Sequence, residues 1–341
     1  MKRLGVVFWG GMSLTDLAEC AKIAEQMGYD SVWTIEFWRD AFGLAFSLAS
    51  VTDRIKIGVG IANIHARSAF TTALTANALD EFSNGRCSLG IGTGPPEWAK
   101  DYHNARWTGK YGKYGLRAMA EYAKILKQLM TGDTVSFSGE IFRVKSAQLG
   151  FDDPASRSFR KNMSLYIAAT GHGMTEAAGR FADGVLWNLM VGDGQYLREV
   201  ASKDLAKGAN TSGRNPESLD VGKYLIVSVA DESAEAQRAV KPLVAFYATK
   251  YYNKPVLEWH GFKNERAKMI EAYKAGESEK AASLVTSAMV EKLTAAGTVE
   301  QVRSKIDEYI AAGVKLPIFL PAYSGSDTKQ AYLRIIEQLA P

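Results

Sequence analysis

Residues 53–94 read "DRIKIGVGIANIHARSAFTTALTANALDEFSNGRCSLGIGTG". Ile55, Ile57, Val59 and Ile61 form an apolar strand pattern, and a helical stretch follows over 68–83. Asn84-Gly85 then closes the helix, and "CSLGIG" (87–92) begins a second apolar strand. A strand, a crossover helix and another strand make the repeating unit of a parallel sheet. Nearly continuous apolar character implies that both sheet faces are covered. Gly58 and Gly60 interrupt the first strand, although glycine has no side chain to pack in a strand interior. Two readings stand for them. They fit the packing of a barrel interior, or Gly60 brings bare backbone up to a flat ligand.

Working outward, the same rhythm repeats. Strands are expected at 4–9, 30–36, 55–61, 87–92, 164–170, 183–190, 221–229 and 316–323. Helices lie between them, one capped by Ser13 and ended by Gly28, others at 113–131, from Met174, near 195–207, at 298–312 and near 327–339. Eight such units predict a closed (β/α)8 TIM barrel of the α/β class, with an open doubly wound sheet as the structural alternative. Two segments break the rhythm. "DTVSFSGEIFRVKSAQLG" (133–150) alternates about Ser138-Gly139 and reads as a hairpin insertion covering an end of the barrel. Residues 233–295 read as a helical insertion with an aromatic-rich part, "FYATKYYNKPVLEWHGF" (246–262). A single barrel domain over 1–341 is expected, since α/β barrels run to this length as one domain.

Composition narrows the function classes. The 341 residues are 47% hydrophobic and 23% charged, which is globular, and 41 basic against 37 acidic residues give a net charge of +4. No basic run or stripe is present, so nucleic acid is not an expected partner. No stretch approaches the ~20 apolar residues of a membrane span. Cys20 and Cys87 sit in apolar contexts as small core residues of a reducing compartment. The short apolar run after Met1 is not a signal peptide. A cytoplasmic location is therefore expected.

A barrel of this kind builds its site at the C-terminal ends of its strands. Those ends carry Trp9, Glu36-Phe37, Gly60-Ile61-Ala62-Asn63, Gly92-Thr93-Gly94 with Glu97 beyond, Ala169-Thr170-Gly171-His172-Gly173-Met174, and Asn188. Glycine and aromatic residues dominate, which suits a planar cofactor. The four histidines, at 65, 103, 172 and 260, lack ligand spacing, so no metal site is expected. In "AATGHGMTEAAGRFADG" (168–184) a strand passes through a small-residue turn into a helix, whose free N–H groups form a candidate phosphate site. Helix entry without a ligand accounts for it as well. Glu36, at the end of an apolar strand, needs a partner; Arg67 and Asn63 are the candidates. Glu36 and Glu97 are candidate catalytic carboxylates for proton handling or ring polarisation. A structural ion pair and a solvated loop are their respective alternatives.

Several motifs together resemble the bacterial-luciferase-like family of flavin- and deazaflavin-dependent oxidoreductases. They are "AEQMGYDSVWTIE", residues 53–94, "GDTVSFSGEIFRV", "LYIAATGHGMTEAAGRFADGVL" and "GTVEQVRSKIDEYIAAGV". The order is the family's, and the likeness is greatest to the methylenetetrahydromethanopterin reductase branch. The resemblance implies a non-prolyl cis peptide at Gly60–Ile61 that supports one face of a (deaza)isoalloxazine ring. It also implies a phosphate-side loop at Thr170–Met174, polar residues Asn63 and Arg67 after the bulge, and an acid at Glu36. Two departures stand out. Many deazaflavin members have a histidine where Phe37 stands, and Pro95-Pro96 precedes Glu97. The implied activity is hydride transfer to or from a small organic substrate with coenzyme F420, or alternatively FMN. An FMN-dependent monooxygenase fed by a flavin reductase, a non-catalytic flavin-binding barrel and flavin-free transfer from a nicotinamide are the other readings. A homodimer through the helices near the first strands is implied as well.

Overall fold

The computed structural model describes residues 2–105, 113–150, 163–323 and 327–341. Its strands in chain order are β1 (Gly5–Phe8), β2 (Ser31–Thr34), β3 (Lys56–Asn63), β4 (Cys87–Gly92), β5 (Val135–Ser138), β6 (Arg143–Ala147), β7 (Leu165–Ala169), β8 (Gly184–Trp187), β9 (Asp220–Val229), β10 (Thr294–Gly297) and β11 (Leu316–Pro321). Among the described residues, eight of them close a parallel barrel in the order β1-β2-β3-β4-β7-β8-β9-β11, with β11 returning to β1. All eight are the strands that the apolar pattern predicts, and helices cover the outside.

Local chemistry sets the helix ends. Ser13 Oγ accepts from the Asp16 N–H at 3.1 Å, and Ser68 Oγ accepts from the Thr71 N–H at 3.0 Å, each capping its helix. Gly28 (φ +86°) ends the first of these helices, and Asn84 (φ +55°) with Gly85 (φ +80°) ends the second. Thr298 and Gln301 form a reciprocal capping box for helix 299–311. Cys20 and Cys87 are buried and are not joined in a disulfide.

The barrel interior answers the question of the β3 glycines. Trp33 on β2 is 1% exposed and donates Nε1–H to Ser31 Oγ at 2.8 Å. Its ring meets Tyr166 edge-on at 5.5 Å. A Cβ at Gly58 would overlap the Trp33 indole, and one at Gly60 would overlap the Tyr224 hydroxyl and approach Trp33 at 2.8 Å. Both glycines therefore make room for large interior rings, and close packing leaves no slack for a methyl group.

A polar network ties the N-terminal strand ends. Arg3 donates two hydrogen bonds to Asp220 at 3.0 Å each and one to Asp30 at 3.3 Å, and Tyr166 donates its hydroxyl to Asp220 at 2.7 Å. A polar cavity of about 420 Å³ lies there, at the end opposite the mouth.

Four details depart from expectation. β2 stops at Thr34, so Glu36 lies in the turn beyond it. The helix after β7 begins at His172, two residues early. The helix near 195–207 is built in pieces, with a π-helical turn over Leu197–Ala201 between short and longer α segments. Thr294 and Ala295, read as the end of the helical region 233–295, form β10 with Ala296 and Gly297. This strand pairs with Ile226–Val229, on the same edge of β9 that lower down holds β8 through Trp187↔Lys223. β9 outruns β8, and the unpaired edge overrides the helical preference of Thr-Ala-Ala.

The insertions also have defined places. The β5–β6 hairpin is pinned by Glu121, which accepts N–H bonds from Glu140, Ile141 and Phe142 at 2.9–3.0 Å. Its Phe142 packs against Tyr122 and His65. Helices 233–248 and 254–259 bring residues 246–255 to the mouth itself.

Two stability predictions follow from this interior and this network. Gly58→Ala forces a methyl group against Trp33 and is expected to destabilise by about 1–3 kcal/mol. Gly213→Ala, at φ +69° with open space around it, costs about 1–2 kcal/mol from backbone strain alone. Urea denaturation midpoints check the ranking. Burial raises the Asp220 carboxyl, but the hydrogen bonds from Arg3 and Tyr166 and the Arg3 charge outweigh it, so it titrates below its ordinary value. Its contribution is present above the unfolded pKa of about 3.9 and is lost as pH falls through the folded value. Asp220→Asn should remove that share of the acid loss below about pH 4, measured as unfolding free energy against pH.

Candidate active site

The mouth of the barrel opens into one cleft with two lobes. The first has a volume of about 480 Å³ and the second about 490 Å³. Ile61, Gly94, Ala168, Asn188, Tyr251 and Tyr252 line both, so the lobes are continuous.

Ile61 stands between the lobes because β3 bulges there. The Gly60–Ile61 peptide is cis, and the β3–β4 register shifts between Val59 and Ala62. The bulge is held from inside and outside the barrel. Inside, the buried Tyr224 hydroxyl donates to the Gly60 carbonyl at 2.9 Å. Outside, Glu36 Oε2 accepts from the Asn63 N–H at 2.7 Å. Arg67 Nε lies 3.7 Å from Glu36 Oε1, and the same guanidinium pairs with Asp40 and covers the Phe42 ring at 5.2 Å. Both expected partners of Glu36 are thus present. Asn63 Oδ1 accepts from the His65 N–H at 2.9 Å. Gly94 (φ +61°) leaves the space that the Asn63 amide fills.

The first lobe is walled by backbone and apolar side chains. The N-terminus of helix 172–181 opens on it through Gly171, His172, Gly173 and Met174. The first-turn N–H groups of a helix have no intrahelical acceptors, and the helix dipole favours an anion beside them. Gly171 carries no capping side chain, and a Cβ there would meet nothing within 4 Å. His172 Nδ1 lies 2.6 Å from Asp204 Oδ2, at the rim. Gly92 makes room for Ile61, and Gly173 for Leu116. This donor set fits a phosphate-bearing planar cofactor. N–H groups face a small, open anion position, and Ile61, Ala168 and Leu116 offer apolar surface for a ring.

Aromatic rings wall the second lobe. Phe37 packs on Trp98 at 5.1 Å and on Trp38 at 4.8 Å. Trp9 supports Phe37 from behind at 5.8 Å. Glu97, on the first turn of helix 96–101, reaches the lobe from an exposed position. Lys250 enters from the helical insertion, with its ammonium 3.9 Å above the Phe246 ring. Burial lowers the Lys250 pKa, while the Glu97 charge acts to raise it. Burial holds the Tyr252 phenol above its ordinary value.

Most residues expected from the strand ends come together here. Glu36, Phe37, Gly60, Asn63 and Glu97 line the second lobe. Gly92, Thr93, Ala169, Thr170 and the 171–174 turn line the first. Trp9 and Ala62 do not reach either lobe; Ala62 is buried in the β3–β4 ladder behind the bulge. Sequence reasoning did not single out Tyr224, Leu116, Lys250 or Tyr252. The run "FYATKYYNKP" was the available signal for the last two, as an aromatic segment with a cation inside it. Among the described residues, none of the hairpin at 133–150 lines either lobe.

Comparison with known proteins identifies the family and the fold. The luciferase-like monooxygenase family matches residues 5–316. The 5,10-methylenetetrahydromethanopterin reductase of Methanolobus tindarius is 30% identical over 91% of this chain and 91% of its own. The enzyme of that name from Archaeoglobus fulgidus is 29% identical over 99% of each chain. The structure of the coenzyme F420-dependent tetrahydromethanopterin reductase of Methanopyrus kandleri superposes with a TM-score of 0.85, at 25% identity, over 99% of this chain and 98% of that one. The chain belongs to the luciferase-like monooxygenase family, and it is an oxidoreductase.

Proposed function

We propose that the chain transfers a hydride between coenzyme F420, held in the first lobe and over the bulge, and a small organic substrate in the second lobe. The observation that carries this reading is Ile61, standing on the bulge where the two lobes meet. A ring laid against it has one face covered and the other turned to the second lobe. When bound, F420 supplies the carbon centre that gives or takes the hydride. The residues of the chain do the rest. The 171–174 turn binds phosphate, and Asn63 and Asn188 offer amides beside the ring position. Glu36 acts through the Asn63 N–H and Arg67 and is a positioning residue for the bulge. Glu97 is the carboxylate placed to hold or release a proton at the second lobe. The reading extends to one barrel domain over 1–341 with insertions at 133–150 and 233–295, a homodimer, and a cytoplasmic location.

Phe37 favours a second reading. It stands where many deazaflavin members have a histidine, so a ring packed on Trp98 replaces a proton-handling group. An apolar lobe of that kind suits an FMN-dependent monooxygenase that receives reduced flavin from a reductase partner.

Fluorescence titration of the purified protein with F420 and separately with FMN is the test. The primary reading expects tighter binding of F420; tighter FMN binding moves the assignment to the second, and binding of neither ends both. Gly171→Val sharpens the result. The backbone at Gly171 is extended and the surroundings are open, so valine costs the fold little. It crowds the anion position instead and should weaken both cofactors about tenfold or more, with the thermal midpoint unmoved.

A further inference from the structure

The charge pattern of the second lobe is unusual for a hole walled by rings. Among the described residues lining it, Lys250 is the cation, and Glu36 and Glu97 are the acids. Glu36 is already engaged by Arg67 and the Asn63 N–H. Lys250 is half-buried, sits on the face of Phe246, and makes no ion pair with a described carboxylate. Placing an ammonium partly out of water is unfavourable unless an anion compensates it. The ring contact supplies only part of that compensation. Glu97 lies near enough to influence Lys250, but from an exposed position beyond the Pro95-Pro96 turn.

The rings indicate what accompanies the anion. Phe37 and Trp98 pack against each other at 5.1 Å and both line the lobe, and Phe246 lies under the Lys250 ammonium with Tyr252 also in the lining. Flat ring systems stack on such walls with about 0.5–1.5 kcal/mol beyond simple burial. The anion itself is of the singly charged kind. Among the described residues the lobe offers one ammonium, which a single carboxylate balances, whereas the helix N-terminus suited to phosphate opens on the other lobe.

We infer that the second lobe takes an aromatic or heteroaromatic substrate bearing a carboxylate, and that Lys250 is the specificity-determining residue that binds the carboxylate. The inference rests on the reading of the second lobe as the substrate's place. In the bound state the carboxylate becomes the ion-pair partner that Lys250 lacks, Glu97 keeps its own exposed position, and the ring lies along Phe37 and Trp98. From there Glu97 holds a proton for the reacting atoms.

The test compares 2-naphthoate with its neutral analogue 2-naphthamide, followed through quenching of the intrinsic tryptophan fluorescence of the full chain. The wild type is expected to bind naphthoate about tenfold or more tightly than naphthamide. Lys250→Gln should abolish that preference, and Lys250→Arg should keep most of it. Gly171→Val should leave it unchanged. F420 and FMN titrations run on the same proteins, and Lys250→Gln should not move the cofactor affinity. Equal binding of the two probes by the wild type overturns the inference. So does failure of both to bind, or a preference that survives Lys250→Gln. A preference lost in Gly171→Val instead places the anion at the helix and overturns it too. The wild-type comparison decides even where a variant does not fold. A chain that discriminates the probes but binds neither cofactor overturns the proposed function and leaves this inference standing. A chain that binds a cofactor without discriminating does the reverse.

Discussion

Two large rings, Trp33 from β2 and Tyr224 from β9, meet the bare backbone of β3 inside the barrel. A barrel of eight strands has an interior just wide enough for side chains to fill. Rings of this size fit only where the facing strand gives up its own side chains, and Gly58 and Gly60 do so. A buried tyrosine also needs an acceptor for its hydroxyl. Tyr224 finds one in the Gly60 carbonyl. The interior packing thereby orients the peptide that opens the bulge. Ile61 at the cleft is the outer end of that arrangement.

The outer anchor is electrostatic. Glu36 accepts the Asn63 N–H and is matched by Arg67, which in turn pairs with Asp40 at the cap of helix 41–49. One consequence is positional: the strand leaving the bulge is tied to the turn after β2. The other is a matter of charge. With Glu36 balanced at close range, the charged groups of the second lobe without an ion-pair partner among the described residues are Lys250 and Glu97, so its electrostatic character is set by residues outside the barrel strands.

The strands were legible because a parallel barrel buries both faces and writes continuous apolar runs into the chain. All eight barrel strands could be read that way. β10 could not, because nothing in Thr-Ala-Ala-Gly reports that β9 extends past β8 and leaves an edge to be filled. The site was legible where it lies at strand ends, since those positions follow from the strands themselves. Gly60 could be marked as special, but its dependence on Tyr224 could not, because 164 residues separate them. Lys250 was hidden for a related reason. It comes from a helical insertion whose placement depends on tertiary packing, and no period in the sequence points it toward the mouth. Trp9 was misjudged by one layer: it has the right composition for a wall, but Phe37 stands in front of it.

The two lobes differ in what they are made of, and that difference bears on how such a site changes. The first lobe is built around backbone, namely the bulge, the Gly92–Gly94 turn and a helix N-terminus, with Leu116, Met174, Tyr251 and Tyr252 completing its wall. Substituting side chains alters backbone donors little, so a ligand held by them is insensitive to most sequence change. The second lobe is made of side chains, several of them from the 246–255 segment, whose supporting helices lie outside the strand ladder. A substitution there changes shape or charge directly, and the barrel does not depend on it for closure. On the reading proposed above, the cofactor is fixed by the geometry that also makes the barrel fold. The choice of substrate rests on exposed and half-buried side chains of an insertion whose buried residues, Val244 and Leu257 among them, belong to the core.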